Sequence, residues 1–312
     1  GEPLNLYGAE TETDEAWFIA TSAQGLMEKG TPGGEIAVLY RENFQSRAIE
    51  EALLAFGLPY RVLGTRFFER KEVKDVLSYL RASLNPKSRI DIARIASVPP
   101  RGIGAITLAK MMSGADEELA PGARAKVSAF RQTLLYIGHA LAHLPASDAV
   151  RFAVEASGME KMYKNDKEEG GERLENIREL GNVATKYDFA QSPQGIEQLL
   201  EEAALQSDQD QLEEKQQAVT LMTVHASKGL EFDAVFITGL EQGLFPSLRQ
   251  GNEDRDNEEE RRLFYVALTR ARQRVYLTYA AQRMKYGTRE FTIPSEFLDD
   301  VDPRLVEVKE RK

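Results

Sequence analysis

Short apolar runs alternate with amphipathic segments at both ends of the chain. Three runs near the start have the length of buried strands: LNLYGA (4–9), EIAVLY (35–40) and PYRVLG (59–64). Apolar residues at helical spacing predict helices over 11–30, with acidic residues in the first turn and Trp17 in the core, and over 43–57. Gly30 and Gly57, the last residues of these two ranges, are the glycines that end the helices. This strand–helix order predicts a parallel sheet with flanking helices.

The middle of the chain lacks strand-like runs. Seven segments there have helical spacing: 71–85, 89–98, 105–112, 122–143, 147–158, 172–188 and 195–206. A polar stretch, SDQDQLEEKQQ, follows them as a linker. Strand-like runs then return in VTLMTV (219–224), AVFITGL (234–240) and RVYLTYA (274–280). The pattern predicts an α/β domain, formed by residues 1–84 and 216–312, which is interrupted by an all-helical insertion at 85–215.

The composition narrows the class of protein. The 312 residues carry a net charge of -10, so a contact with nucleic acid would have to rest on a local basic patch. Cysteine is absent, which excludes disulfides and zinc–thiolate sites and fits the reducing cytoplasm. His139 and His143 lack a third ligand, and we expect no metal site. No membrane span or signal peptide is apparent, and the start at Gly1 is typical of an excised fragment.

The phosphate-binding loop of nucleotide hydrolases is missing from the sequence. The pattern G-x-x-x-x-G-K-[ST] does not occur, and neither does the dipeptide Gly-Lys. Such a loop wraps backbone amides around the phosphates and supplies a lysine. We therefore expect that the chain alone does not hydrolyse a nucleotide.

A polar loop joins two predicted strands in TVHASKGLEFDAVFI. Thr223, His225 and Ser227 offer hydrogen-bonding groups. Lys228 adds a cation, and Gly229 lets the backbone approach a ligand closely. Open α/β sheets bind ligands at the carboxyl ends of their strands, which favours a binding loop here. His225 or Lys228 taken singly also fits an ordinary surface loop, so the interpretation depends on the whole string.

Arginines cluster around the end of the last predicted helix, in EEERRLFYVALTRARQRVYL. Five of them occur without an intervening acidic residue: Arg261, Arg262, Arg270, Arg272 and Arg274. We expect the first two to pair with the acidic run just upstream, 253–260. Arg270 is placed to stabilise charge on a transferring phosphoryl group, as an arginine finger does. Arg41 directly follows a buried strand, and we expect it at the same sheet edge.

A glycine-rich turn in VPPRGIGAITLAK separates two predicted helices. Gly102 and Gly104 expose backbone amides at a helix N-terminus, which is a natural binding site for phosphate. Arg101 and Thr107 lie alongside in the sequence. Interhelical turns also use glycine for other reasons, so this motif is a weak indication by itself.

Taken in order, five strings resemble one family: AVLYRENFQSRAIEEAL, RFFERKEVKDVLSYLR, VPPRGIGAITLAK, VTLMTVHASKGLEFDAVFITGLEQGLFP and EEERRLFYVALTRARQRVYL. They are similar to the C-terminal half of superfamily 1A DNA helicases of the UvrD/PcrA/Rep type. In that family this half is a RecA-like domain, 2A, which is P-loop NTPase-like but lacks the P-loop, with a helical domain, 2B, inserted. The resemblance implies that a missing N-terminal half, domains 1A and 1B, carries the phosphate loop.

The resemblance also implies roles for the residues of the nucleotide site. Arg41 and Arg270 would reach the γ-phosphate of ATP across the cleft. Glu231 would accept a hydrogen bond from the ribose, with Gly229 allowing close approach. ATP and Mg²⁺ are thus expected in the full-length protein, and neither is expected bound to this fragment alone.

Further residues are implied in DNA binding. Thr223 and His225 would contact the backbone of single-stranded DNA. The turn in the helical insertion would grip duplex phosphates through Arg101, Gly102, Gly104 and Thr107. Ser227 stands where the family often has alanine, and a small residue is kept. The match is poorer over 112–170, so the resemblance says less about the contacts of 2B with partner proteins.

The implied function is that of the C-terminal motor half of a cytoplasmic, ATP-dependent 3′–5′ DNA helicase, acting in DNA repair or replication. Repair or replication proteins are expected partners through 2B, and a membrane is not. One alternative is a non-catalytic DNA- or protein-binding scaffold derived from the same fold. Another is the helicase part of a helicase–nuclease, although no nuclease-like carboxylate cluster is apparent. We expect Arg41, Glu231 and Arg270 to converge on one open face.

Overall fold

The computed structural model describes residues 2–209, 217–247, 253–285 and 287–309. The chain divides into two units. The sheet unit comprises residues 1–67, 210–284 and 288–312, and the helical unit comprises residues 68–209 and 285–287.

An eight-stranded sheet forms the sheet unit. Its strands are β1 (Leu4–Thr11), β2 (Ile36–Tyr40), β3 (Tyr60–Val62), β4 (Val219–Thr223), β5 (Phe232–Ile237), β6 (Ala271–Lys285), β7 (Thr288–Phe291) and β8 (Val306–Val308). Their order is β3-β4-β2-β5-β6-β1-β8, with β7 on β6. Every pairing along that order is parallel. The predicted α/β fold with a parallel sheet is confirmed, whereas the exposed β7 and the three-residue β8 were not predicted.

Both faces of the central strand β2 are buried. Alternate side chains point to opposite faces, so Ile36 and Val38 pack beneath α1 (Glu12–Glu28) and α2 (Ser46–Ala55). On the other face Ala37 and Leu39 share a core with α11 (Glu253–Leu268). A strand covered by helices on both sides reads as a continuous apolar run, which is why IAVLY was recognisable in the sequence.

The N-terminus of α1 is fixed by a capping box. The Thr11 hydroxyl accepts a hydrogen bond from the Asp14 amide at 3.2 Å, and the Asp14 carboxylate accepts one from the Thr11 amide at 3.1 Å. The prediction of Trp17 as a core residue is wrong. Its indole is 50% exposed and packs edge-on against Phe56 with ring centroids 5.2 Å apart.

Helices and turns make up residues 68–209 of the helical unit. The helices are α3 (Lys71–Leu84), α4 (Arg89–Ile95), α5 (Ala105–Ser113), α6 (Pro121–Leu141), α7 (Ala146–Ser157), α8 (Met159–Lys164), α9 (Gly170–Ala184) and α10 (Gln194–Gln209). The sequence pattern missed the short α8. Helix α3 packs against α4, α6, α7 and α9. Residues 68–84 therefore group with the helical unit, whereas the prediction placed them in the α/β domain with the rest of residues 1–84. None of the described helices has both the length and the apolar character needed to span a bilayer.

Candidate functional site

The loop between β4 and β5 crosses from the end of the sheet where the parallel strands finish, here called the carboxyl edge, to the end where they begin, here called the amino edge. Both strands are parallel to β2, which lies between them. Thr223, the last residue of β4, pairs with Tyr40 at the carboxyl end of β2. The first residues of β5 lie beside the amino end of β2, near Ile36. The connection, residues 224–231, therefore begins at the carboxyl edge and ends with Glu231 at the amino edge.

At the carboxyl edge, the loop forms a tight turn that its own side chains close. The Thr223 hydroxyl accepts a hydrogen bond from the Ala226 amide at 3.3 Å. The Ser227 hydroxyl is buried and donates to the Val224 carbonyl at 2.7 Å. Ser227 thus supports the loop from within, while His225 is exposed at the surface. An alanine at this position could not form the hydrogen bond to the Val224 carbonyl.

Gly229 is required by the backbone conformation of the loop. Its φ is +87°, in the left-handed region that side chains with a Cβ rarely adopt. A Cβ placed there would meet no described atom within 4 Å. The space around Gly229 is therefore open, and Glu231 is exposed two residues later.

Arg270 lies at the amino edge, between α11 and β6. Its carbonyl accepts a hydrogen bond from the Phe232 amide at 2.9 Å. Its guanidinium donates to the Val266 carbonyl, the Leu230 carbonyl and the Thr269 hydroxyl, each at 3.0 Å. These acceptors are neutral, so they hold the group in place without neutralising its positive charge.

Glu231 and Arg270 are neighbours at this edge. Glu231 stands between Leu230, which accepts from the Arg270 guanidinium, and Phe232, which donates to the Arg270 carbonyl. The backbones of Glu231 and Arg270 therefore lie side by side, the Glu231 side chain is exposed, and the Arg270 guanidinium is held by three hydrogen bonds. The sequence placed these two residues in separate motifs, 39 positions apart by their numbers.

The other four arginines of the cluster have carboxylate partners. The pairs are Arg261 with Asp300, Arg262 with Glu258, Arg272 with Glu35 and Asp233, and Arg274 with Glu2. The expected pairing with the acidic run is confirmed for Arg262 and wrong for Arg261. Within the described part of the chain, Arg270 has no carboxylate partner. Among the five arginines, Arg270 is therefore the one whose positive charge can interact with a negatively charged ligand.

Arg41 does not join this group, so the expected convergence of Arg41 with Glu231 and Arg270 is wrong. Arg41 follows β2 and lies at the carboxyl edge, whereas Arg270 precedes β6 and lies at the amino edge. The Arg41 side chain is 7% exposed, and its Nη2 donates to Oε1 of Glu260 at 2.6 Å. Burial alone would lower the pKa of Arg41, but the bonds to Glu260 and nearby carboxylates raise it above its usual value.

A buried ionic cluster that the sequence did not reveal lies at the carboxyl edge. Arg283 of β6 donates to Glu15 of α1 and to Glu241 in the loop after β5. Burial by itself would raise the pKa of Glu15, but Arg283 and hydrogen bonds from Thr278 and Gly239 hold it below its usual value. Burial raises the pKa of Glu241 above its usual value. One guanidinium here compensates two carboxylates.

In the helical unit, the Arg101 side chain is turned into the fold. Its guanidinium donates to the Ser157 carbonyl at 2.6 Å and to the Val98 carbonyl at 2.8 Å. It also lies over the rings of Tyr79 and Phe130, 5.7 and 5.5 Å from their centroids. The Arg101 side chain thus anchors the turn that follows it.

The backbone of that turn is exposed. Gly102 has a φ of +69°, and Gly104 precedes the first residue of α5, whose N-terminus has no side-chain cap. The Lys126 ammonium lies over Gly102, 2.6 Å from where a Cβ would be. Thr107 is half-buried within the first turn of α5. The exposed amides and one ammonium are the groups that this turn presents.

The fold and these motifs agree with one protein family. The family model of the UvrD-like helicase C-terminal domain matches residues 1–120 and 125–282, and the chain belongs to this family. Among its relatives, DNA helicase II of Escherichia coli (strain K12) is 37% identical over 328 residues, covering 98% of this chain and 46% of the relative. ATP-dependent DNA helicase PcrA of Bacillus subtilis (strain 168) is 37% identical over 331 residues, covering 98% and 45%. The resemblance noted in the sequence is confirmed, and the chain spans about half the length of these curated relatives.

Proposed function

We propose that this chain is the C-terminal motor and DNA-binding half of an ATP-dependent 3′–5′ DNA helicase that acts in DNA repair or replication. The observation that carries the proposal is the state of Arg270, a guanidinium fixed by neutral acceptors beside the exposed Glu231. The relatives named above are DNA helicases, and one is named as ATP-dependent, which supports the same assignment.

The nucleotide site is proposed to be shared between two halves of the full-length protein. ATP supplies the phosphoryl group, and the phosphate loop and the ligands of Mg²⁺ are assigned to the 1A and 1B domains. In this half, Arg270 neutralises charge that develops on the γ-phosphoryl group, because its guanidinium is already oriented and needs little reorganisation. Glu231 accepts a hydrogen bond from a ribose hydroxyl, and the open space at Gly229 admits the ligand.

The loop of residues 224–231 is proposed to couple the nucleotide to DNA. Its first part, with His225, contacts the backbone of single-stranded DNA at the carboxyl edge, together with Thr223 at the end of β4. Its last part is held at the amino edge through the bond from Arg270 to the Leu230 carbonyl. Because so short a connection cannot stretch much, a movement of its last part when the cleft closes around ATP also moves its first part, which contacts DNA.

The helical unit is proposed to bind duplex DNA. The exposed amides of Gly102 and Gly104, and Thr107 in the first turn of α5, would contact phosphates, while Arg101 holds the turn from behind. With a net charge of -10, the chain should bind duplex DNA weakly and with a strong dependence on salt. Repair or replication proteins are the proposed partners of this unit.

Arg270→Ala in the full-length protein tests the proposed function. We expect DNA-stimulated ATP turnover to fall by about 10³-fold, since a phosphate-stabilising arginine is lost, while ATP binding is retained. Arg272→Ala is the matched control, because Arg272 is two residues away and already paired with Glu35 and Asp233. Its turnover should stay close to that of the parent.

Unchanged turnover in the Arg270→Ala variant would refute the arginine-finger assignment. The alternative function, a non-catalytic DNA- or protein-binding scaffold, makes a different prediction. In that case the full-length protein would bind DNA but show no ATP turnover to lose.

A further inference from the structure

Arg41 and Glu260 form a buried ion pair between the central strand and α11. Arg41 Nε donates to both carboxylate oxygens of Glu260, at 2.9 and 3.0 Å, and Nη2 donates to Oε1 at 2.6 Å. The two side chains are 7% and 6% exposed. Three short contacts between a planar guanidinium and a carboxylate fix their relative orientation as well as their distance.

Neighbouring groups complete the hydrogen bonding of this pair. The Ser247 amide donates to Glu260 at 3.1 Å, and the Ser247 hydroxyl donates to Glu42 at 3.3 Å. Glu42 also accepts from Arg41 Nη1 at 3.1 Å. The pair therefore ties together the end of β2, the segment after β5 and the middle of α11.

Buried ion pairs are poor sources of net stability, because desolvation offsets most of their attraction. Their better-supported role is to select one arrangement of the elements that they join. Phe264 and Ala267 of α11 pack in the core through apolar contacts, and such contacts constrain sliding or rotation of a helix only loosely. Of the described ion pairs near the centre of α11, the one with Arg41 is buried, whereas that of Arg261 with Asp300 is exposed.

The position of α11 contributes to that of Arg270, which Leu230 and Phe232 also hold from the side of β5. Arg270 Nε is bonded to the carbonyl of Val266 in the last turns of that helix. Glu260 lies ten positions earlier, about 15 Å away at 1.5 Å per residue. A shift of the helix at Glu260 would therefore be carried to the guanidinium at the amino edge.

We propose that Arg41 and Glu260 are positioning residues, which set the axial position and rotation of α11 and thereby place Arg270 at the nucleotide site. This inference rests on the proposed function. It assigns Arg41 to the interior of the fold rather than to the γ-phosphate.

A double-mutant cycle in the full-length protein tests the inference: Arg41→Met, Glu260→Leu and the two together, with kcat and the Kd for ATP measured for each. Each single change should lower kcat by about tenfold or more, because the finger is misplaced, with the Kd changed by about twofold at most. The double variant should be no worse than the more damaging single variant, since both changes break the same link.

Direct contact of Arg41 with phosphate predicts another pattern. Arg41→Met would then lower kcat far more than Glu260→Leu, and the two effects would multiply. That result would overturn the proposal, and so would a double variant with the kcat of the parent.

Two controls separate misplacement from unfolding and from failure of the proposed function. The double variant removes both buried charges of the pair and leaves only the partly exposed Glu42 without Arg41. Its thermal unfolding midpoint should therefore lie nearer to that of the parent than the midpoint of Arg41→Met, which leaves the buried Glu260 without its cation. Arg261→Met removes an exposed ion pair from the same helix and should leave kcat unchanged. If Arg270→Ala lowers kcat and the Arg41/Glu260 double variant does not, only the positioning role fails.

Discussion

At the scale of single residues, the function of an arginine depends on its partner. The sequence alone does not distinguish the five arginines around the end of α11. In the structure, four of them form ion pairs with carboxylates at the surface. Such pairs contribute little to stability. Arg270 is bonded to neutral oxygens instead, so its charge is available to a ligand.

Gly229 allows a test of backbone strain in the proposed nucleotide loop. Gly229→Ala should lower the free energy of unfolding of the sheet unit by about 1 kcal/mol, because a Cβ is disfavoured at its φ of +87° although no described atom lies within 4 Å of it. Gly25→Ala is the matched control. Gly25 lies within α1 with equally open space, and alanine there should raise the free energy of unfolding by about 0.5–1 kcal/mol.

Fluorescence of Trp17, the single tryptophan, reports unfolding of the sheet unit during chemical denaturation. Equal effects of the two substitutions, in sign and size, would contradict the assignment of strain to Gly229.

At the scale of elements, β6 carries both kinds of ion pair. At its amino end Arg274 pairs with Glu2 at the surface, and the two side chains are 28% and 51% exposed. Near its other end Arg283 is 10% exposed and bridges Glu15 of α1 and Glu241, which are 3% and 1% exposed. The buried cluster thus joins three elements of the sheet unit at the carboxyl edge.

Arg283→Met should destabilise the sheet unit by about 3–5 kcal/mol near neutral pH, because it leaves two buried carboxylates unpaired. Arg274→Met, on the same strand, should cost about 1 kcal/mol or less. Denaturation followed by Trp17 fluorescence measures both. Equal losses for the two variants would contradict the role of the cluster.

The loss in Arg283→Met should also depend on pH. In the parent, the lowered pKa of Glu15 contributes stability above the usual carboxylate range, and this contribution is lost as the pH falls through the folded-state pKa. Without Arg283, burial raises the pKa values of both carboxylates, which favours the variant at low pH. The difference in free energy of unfolding should therefore shrink from about pH 7 to about pH 4. A difference that grows over this interval would argue against the assignment.

At the scale of the whole molecule, the chain holds one wall of the proposed nucleotide site. Purified on its own, it should show no ATP turnover with single-stranded DNA, because its sequence contains no phosphate loop. The measurement is phosphate release with and without DNA, and the full-length protein is the positive control. Turnover that stays with this chain through purification would mean that it contains a complete site.

The order and spacing of residues were sufficient to predict the main elements and the family. Short-range periodicity was enough to locate β2 and the long helices, because burial of a strand or helix face leaves its period in the sequence. The strings around Gly229 and Arg270 are sufficient to identify the helicase family. Ser227 and Arg101 were visible as polar residues, but their inward hydrogen bonds were not.

Which of these residues lie together depends on how the strands and helices pack in three dimensions. Strand order and direction put Arg41 and Arg270 at opposite edges of the sheet, although both adjoin a strand in the sequence. Helix α3 likewise grouped with the helical unit through contacts with distant helices. The partner of a charged side chain, such as Glu260 for Arg41, lies more than two hundred positions away. Such pairings follow from the packing of the whole unit, which no local pattern of residues encodes.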